Sequence, residues 1–229
     1  MKIALQFSGQ PRAFKEGYEY YKKNLLGSYD VDVFCNFWNC TDAWDVITLY
    51  NAKRFDIVHP LFTPELYNER YPRTPNPKQF PPYNTISAFC SLFHCNILRL
   101  QEELKGAKYD FVIKSRTDFA LNGKLPFEQM KKDKLYVPDD RMLDVRNDQF
   151  AVGSPEIMTD YCSTYLHLND FYEKGVSFIG EDMLMANLRK HGLVEKLEHL
   201  NMNHPFIDGP YNVGRHSLIR SDMKKWNSA

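Results

Sequence analysis

The chain has no excess of charge of either sign. Its 29 Lys and Arg stand against 29 Asp and Glu, which removes the broad basic field expected of a dedicated nucleic-acid binder. Any anion site must be local, and no nucleic-acid partner is expected. Long hydrophobic runs are missing as well. No window approaches the ~20 apolar residues of a membrane span, so no transmembrane segment is expected. Met1-Lys2-Ile3-Ala4-Leu5 gives way at once to Gln6, Ser8, Gly9 and Gln10, short of the roughly 7–15-residue apolar stretch of an export signal. A soluble, non-exported, cytoplasmic protein is the expectation. Cys35, Cys40, Cys90, Cys95 and Cys162 are odd in number, sit in apolar segments and show no CxxC spacing, so buried free thiols are expected rather than disulfides or zinc. GxxxxGK[ST] and GxGxxG are both absent, which argues against P-loop kinases and dinucleotide dehydrogenases. HExxH, internal repeats and low-complexity tracts are absent too.

What the chain does have is 229 residues with 43% hydrophobic and 25% charged content, enough for a single domain with a substantial core. Aromatics reach 14%, an excess that can fill a core or line sites for sugars and nucleobases.

Lys2–Phe7 reads as a strand stopped by Ser8-Gly9-Gln10-Pro11-Arg12. Tyr18, Tyr21 and Leu25 place a helix over Phe14–Leu26, and Val31–Phe37 follows as a buried strand. Trp44–Tyr50 reads as a short helix and Phe55–Val58 as a strand. Thr63-Pro64-Glu65 is a helix start. Residues 71–82 hold five prolines and form a loop, either a lid or a plain surface connection. Ile86, Phe89, Phe93, Ile97, Leu100 and Leu104 then give one apolar helical stripe, closed by Gly106. Tyr109–Lys114 is a central strand, and Leu135–Val137 and Gln149–Val152 are shorter ones. Ser154-Pro155 caps a helix carried by Met158, Tyr161, Tyr165, Leu168 and Tyr172. Gly180-Glu181-Asp182 opens another that runs to about His191. The tail from Asn203 onward reads as irregular. Strands alternating with helices imply an α/β sandwich with a largely parallel sheet.

Ligands of such sheets bind at the carboxyl ends of the strands, where two polar clusters fall. Ser8–Arg12 sets a glycine, which permits close backbone approach, beside a guanidinium suited to phosphate, or is only a turn with a surface Arg. Ser115-Arg116-Thr117-Asp118 places a carboxylate on the rigid end of a buried strand, where it can offer oxygen to Mn²⁺ or Mg²⁺. Arg116 points to the same side, to bind phosphate or to pair with Asp118 as a structural element. Glu181 and Asp182 begin a helix, where carboxylates serve as caps or as a positioned general base. Asp148 and Gln149 are loop polar residues able to hold an acceptor hydroxyl. Tyr83, Asn84 and Ser87 stand at the start of the long helix, as caps or as pocket lining. Phe7, Tyr83, Phe150 and Tyr211 lie beside the polar loops and are the aromatics expected to touch a base or sugar.

In this order the segments KIALQFSGQPRAF, YDFVIKSRTDFAL, FAVGS and GEDMLM, which span nearly the whole chain, resemble the GT-A-type glycosyltransferases. The likeness is greatest to small viral and bacterial enzymes that assemble surface glycans or lipopolysaccharide. The resemblance implies a GT-A-like, Rossmann-like α/β/α sandwich with a mostly parallel central sheet. It implies one domain over 1–229, with a nucleotide-binding half over about 1–120 and an acceptor-side half over about 121–229. The donor, a UDP- or GDP-linked sugar, would be held by Leu5, Gln6, Phe7, Ser8, Gly9, Arg12, Tyr83, Ser87, Lys114, Arg116 and Asp118. A glycan hydroxyl would be the acceptor, near Asp148 and Gln149. The family's strand-end motif is usually Asp-x-Asp, and here it is Arg116-Thr117-Asp118. Asp118 carries over as ligand of a divalent metal, Mn²⁺ or Mg²⁺, whereas Arg116 does not. His204 or His216 would match the C-terminal histidine that some members add to the metal. Asp182, or failing it Glu181, would be the base of an inverting reaction. The alternatives are a retaining transferase and a non-catalytic nucleotide-sugar or glycan-binding domain.

Overall fold

The computed structural model describes residues 1–59, 64–72, 81–138 and 148–200. The first strand, β1 (Lys2–Gly9), lies at the centre of the sheet. Its alternation divides the core: Ile3, Leu5 and Phe7 join one cluster, while Ala4 joins the other and Gln6 bonds the helix on that side, as period-two side-chain placement requires. The chain continues through α1 (Phe14–Tyr21), a π-helical turn at Lys22–Leu26, β2 (Asp30–Trp38), α2 (Thr41–Leu49) and β3 (Arg54–Val58). After α3 (Pro64–Arg70) and α4 (Pro82–Leu104) it returns to the sheet as β4 (Phe111–Ser115). The remainder is β5 (Leu135–Pro138), β6 (Ala151–Gly153), α5 (Pro155–Cys162), α6 (Leu168–Glu173), α7 (Gly180–Lys190) and β7 (Leu197–Leu200).

All seven strands form one sheet in the order β3-β2-β1-β4-β6-β5-β7. Neighbours from β3 to β4 are parallel, β6 runs against both β4 and β5, and β7 is parallel to β5. Phe14, Tyr21, Ala43, Val46 and Ile47 cover one face from α1 and α2. Phe89, Leu92, Cys95, Met158, Tyr161, Leu184 and Leu188 cover the other from α4, α5 and α7. The result is an α/β architecture with a mostly parallel, Rossmann-like sheet. Among the described residues no helix is long and apolar enough to cross a membrane. All five cysteines are free, and Cys35, Cys95 and Cys162 are buried.

Two helical expectations need correction. The Met158-to-Tyr172 pattern does not make one helix: α5 stops at Cys162, a 3-10 turn spans Ser163–His167, and α6 begins at Leu168. Ser163 Oγ donates to the Asp160 carbonyl at 2.7 Å and Thr164 Oγ1 to the Tyr161 carbonyl at 3.0 Å. These bonds offer the backbone an alternative to the α-helical ladder. The apolar stripe of α4 is also rotated. Leu104 is 88% exposed, while Asn96 and Arg99 face inward at 2% and 0%.

The topology prepares a crevice. From β1 the chain steps outward to β2 and β3, then crosses back to β4 on the other side of β1, so the order reverses between β1 and β4. That switch point is where loops diverge and ligands of open α/β sheets bind. Gly17 of α1 sets how closely the two diverging loops approach, because a Cβ there would lie 2.0 Å from the Thr117 carbonyl oxygen. Gly17→Ala is therefore expected to destabilise by about 1–3 kcal/mol through overpacking, against the ~1 kcal/mol that alanine gains from helix propensity. Urea unfolding checks this, and an unchanged or raised midpoint would contradict the contact.

Candidate functional site

A cavity of about 480 Å³ opens at the switch point, lined among others by Ser8, Gly9, Gln10, Arg12, Tyr83, Lys114, Arg116 and Asp148. Its wall is built from both sequence clusters. The Ser8–Arg12 loop contains Gly9 at φ +92° and is followed by Ala13 at φ +40°, a conformation costly for alanine. Gly9 N–H donates to Ser91 Oγ of α4 at 2.8 Å, and that hydroxyl lies 2.6 Å from the Asn36 carbonyl at the end of β2. Arg12 N–H donates to Thr117 Oγ1, which donates back to the Arg12 carbonyl, both at 3.0 Å. The loops after β1 and β4 are thus bolted together, with the Arg12 side chain exposed beside Gln10 Oε1 at 3.0 Å.

On the β4 side, Lys114 Nζ donates to the Asp148 carbonyl. Burial pulls the Lys114 pKa from 10.5 down to about 8, partly opposed by the charge of Asp148. Arg116 forms a forked pair with Asp118, Nε to Oδ1 at 2.8 Å and Nη2 to Oδ2 at 2.7 Å. Burial disfavours the Arg116 charge, but the Asp118 hydrogen bonds and the charges of Asp118 and Asp148 outweigh it, so the guanidinium pKa is raised. The Lys114 shift carries a stability consequence. The folded state releases this proton at lower pH than the unfolded chain, so the cost of burying the ammonium is fully present below about pH 8 and fades towards pH 10.5. Lys114→Met is expected to be more stable than the parent near pH 7 by an amount on the order of 1–3 kcal/mol. The advantage should shrink between pH 8 and 10.5; denaturant midpoints across that range check it, and a pH-independent difference would contradict it.

Several expected residues fall elsewhere. Phe7 is fully buried, edge-on to Tyr21 and Tyr50 with centroids 5.3 and 4.9 Å away. Phe150 stacks on Phe119 at 4.8 Å. Neither ring can meet a ligand: strand alternation turns Phe7 to the core face opposite Ser8, and Phe150 is fully buried. Gln6 is likewise at 0% exposure, donating to Asn96 Oδ1 at 3.1 Å. Asp118, at 1% exposure, lies behind Arg116. Ser87 lines a neighbouring cavity of about 310 Å³ with Asn36, His59, Tyr67, Cys90 and Tyr165, and Trp38 borders both cavities. Glu181 and Asp182 occupy the first turn of α7. They are not part of the cavity wall, but a Cβ on Gly180 would lie 3.7 Å from Asp148 Oδ2, so their helix begins against a wall residue. Gln149 follows Asp148 and is half-buried. His204, Tyr211 and His216 lie outside the described residues.

Pattern reading missed Trp38, the last residue of β2, and Tyr161, Phe89 and Leu92 in the cavity wall. Trp38 was findable as the residue leaving a strand at its carboxyl end. The others read as core stripe, which they also are.

Both oxygens of Asp118, the carboxylate expected to hold a divalent metal, accept from Arg116, and its side chain is 1% exposed. No protein-family model and no curated protein matches the chain.

Proposed function

We propose that the chain is a glycosyltransferase of GT-A type, moving a sugar from a UDP- or GDP-linked donor to a glycan hydroxyl. The observation that carries this reading is the convergence of Ser8, Gly9, Arg12, Tyr83, Lys114, Arg116 and Asp148 on one cavity at the switch point between β1 and β4. These were singled out as donor or acceptor residues from separate stretches of sequence. Among the described residues the cavity is polarised: Arg12, Lys114 and Arg116 are the cations of its wall, while the Asp148 carboxylate reaches the start of α7. A diphosphate suits the cationic loops, and sugar or acceptor hydroxyls suit Asp148. The aromatic cavity beyond Trp38 is of a size and character for the nucleobase.

In an inverting transfer the acceptor hydroxyl attacks C1 of the sugar while the diphosphate leaves from the opposite face. Asp182, with Glu181 as alternative, takes the hydroxyl proton. The cations offset charge that grows on the leaving oxygen, and fixed charges in a confined site do this with little reorganisation. Incubation with UDP- and GDP-sugars and a mixture of glycan acceptors, followed by assay of released UDP or GDP, tests the proposal. Acceptor-dependent release is the expected result. Binding of a nucleotide sugar with no release would instead support the non-catalytic binding domain.

A further inference from the structure

Resting on that reading of the cavity, we infer that the donor diphosphate is bound by side-chain cations without a divalent metal, and that Asp118 serves as a positioning residue for Arg116. The carboxylate that sequence pattern offers to a metal is not available to one. Asp118 is 1% exposed and its two oxygens accept from Nε and Nη2 of the same guanidinium at 2.8 and 2.7 Å. A metal at Asp118 would compete with a buried forked pair for a carboxylate that is not part of the described cavity wall, which is unfavourable. The pair instead fixes the Arg116 plane, while its Nη1 has no hydrogen-bond partner among the described residues and the side chain remains 29% exposed at the cavity. A guanidinium held in this way binds phosphate oxygens with little entropy left to lose.

Two further cations complete the set. Lys114 Nζ is held by the Asp148 carbonyl, and its other two N–H groups remain available to a ligand. Arg12 stands on the loop tied to Thr117, one residue from Arg116. Of the carboxylates among the described residues here, Asp118 is paired with Arg116 and Asp148 lies beside Gly180 of α7. A nucleotide-sugar diphosphate carries one ionised oxygen on each phosphate, a charge that this set of cations lining one cavity can meet.

The test is calorimetric titration of the full chain with UDP and with GDP, in EDTA and in MnCl₂. The expected result is that one nucleotide binds with the same Kd, within about threefold, in both buffers, and that Arg12→Ala weakens it at least about tenfold in EDTA. Arg12 is exposed, so this variant should fold. Asp118→Asn, compared at a temperature where circular dichroism shows it folded, should weaken binding equally with and without Mn²⁺. Binding seen only with Mn²⁺, or a selective loss of Mn²⁺-dependent affinity in Asp118→Asn, overturns the inference while leaving the transferase proposal standing. Failure of both nucleotides to bind in either buffer overturns both.

Discussion

Asp182→Asn is expected to lower acceptor-dependent sugar transfer by roughly 10²–10⁴-fold, the usual worth of a positioned general base, while leaving UDP or GDP binding within about twofold of the parent. The amide keeps the size of the carboxylate but cannot take a proton. The separation of the two effects follows from the layout. The cations proposed for the donor belong to β4 and the loops after β1 and β4, whereas Asp182 belongs to the first turn of α7, whose Gly180 lies beside Asp148 of the cavity wall. Glu181→Gln and Asp148→Asn are the informative comparisons. Asp148 lines the cavity and is proposed for the acceptor side, so its loss should raise KM for the acceptor more than it lowers kcat. A full loss of turnover in Asp148→Asn together with wild-type turnover in Asp182→Asn would move the base to Asp148 and contradict the assignment.

The largest effect on stability is expected at Arg99. This side chain has 0% exposure and ties α4 to α5: Nε and Nη2 donate to Asn96 Oδ1 at 3.1 and 2.9 Å, Nη1 to Glu103 Oε1 at 2.6 Å, and Nη2 to Thr159 Oγ1 at 2.6 Å. Asn96 Oδ1 also accepts from Gln6 of β1, two residues before Ser8, so the network lies beneath the cavity floor. Arg99→Ala removes the charge and packing volume and strands the acceptors, at a cost of about 3–5 kcal/mol. For a chain of this length that corresponds to a melting temperature lower by roughly 6–20 °C. A loss below about 1 kcal/mol would show that the buried arginine is nearly balanced by its own desolvation, which buried ion pairs can be.

Arg99 also shows why part of the fold was legible and part was not. β1, β2 and β4 were readable because strands buried on both faces are nearly continuous apolar runs, as Phe111–Ile113 illustrates. The presence of α4 was readable from apolar residues at helical spacing, but its inward face was not. Asn96 and Arg99 register as polar in any apolar pattern, and only the partners from β1 and α5 make their burial favourable. The break between α5 and α6 depends on two hydroxyls finding backbone carbonyls, and the apolar spacing continues straight through it.

At the site, the loops after β1 and β4 announced themselves through Gly9, Pro11 and the polar run Ser115–Asp118. The role of Asp118 did not, because a same-side Arg-x-Asp spacing serves a salt bridge and a ligand shell equally well. The forked geometry shows the salt bridge. Phe7 illustrates the converse. Its neighbours in sequence line the site, but a residue one step along a strand points to the opposite face.

The most direct measurement of the central claim is a crystal structure with UDP-glucose or GDP-mannose bound. The diphosphate is expected between the Ser8–Arg12 loop and the end of β4, with phosphate oxygens in hydrogen-bond reach of Arg12, Lys114 and Arg116. A diphosphate seated elsewhere, for example in the larger 790 Å³ cavity beside Arg70 and Tyr165, would contradict it.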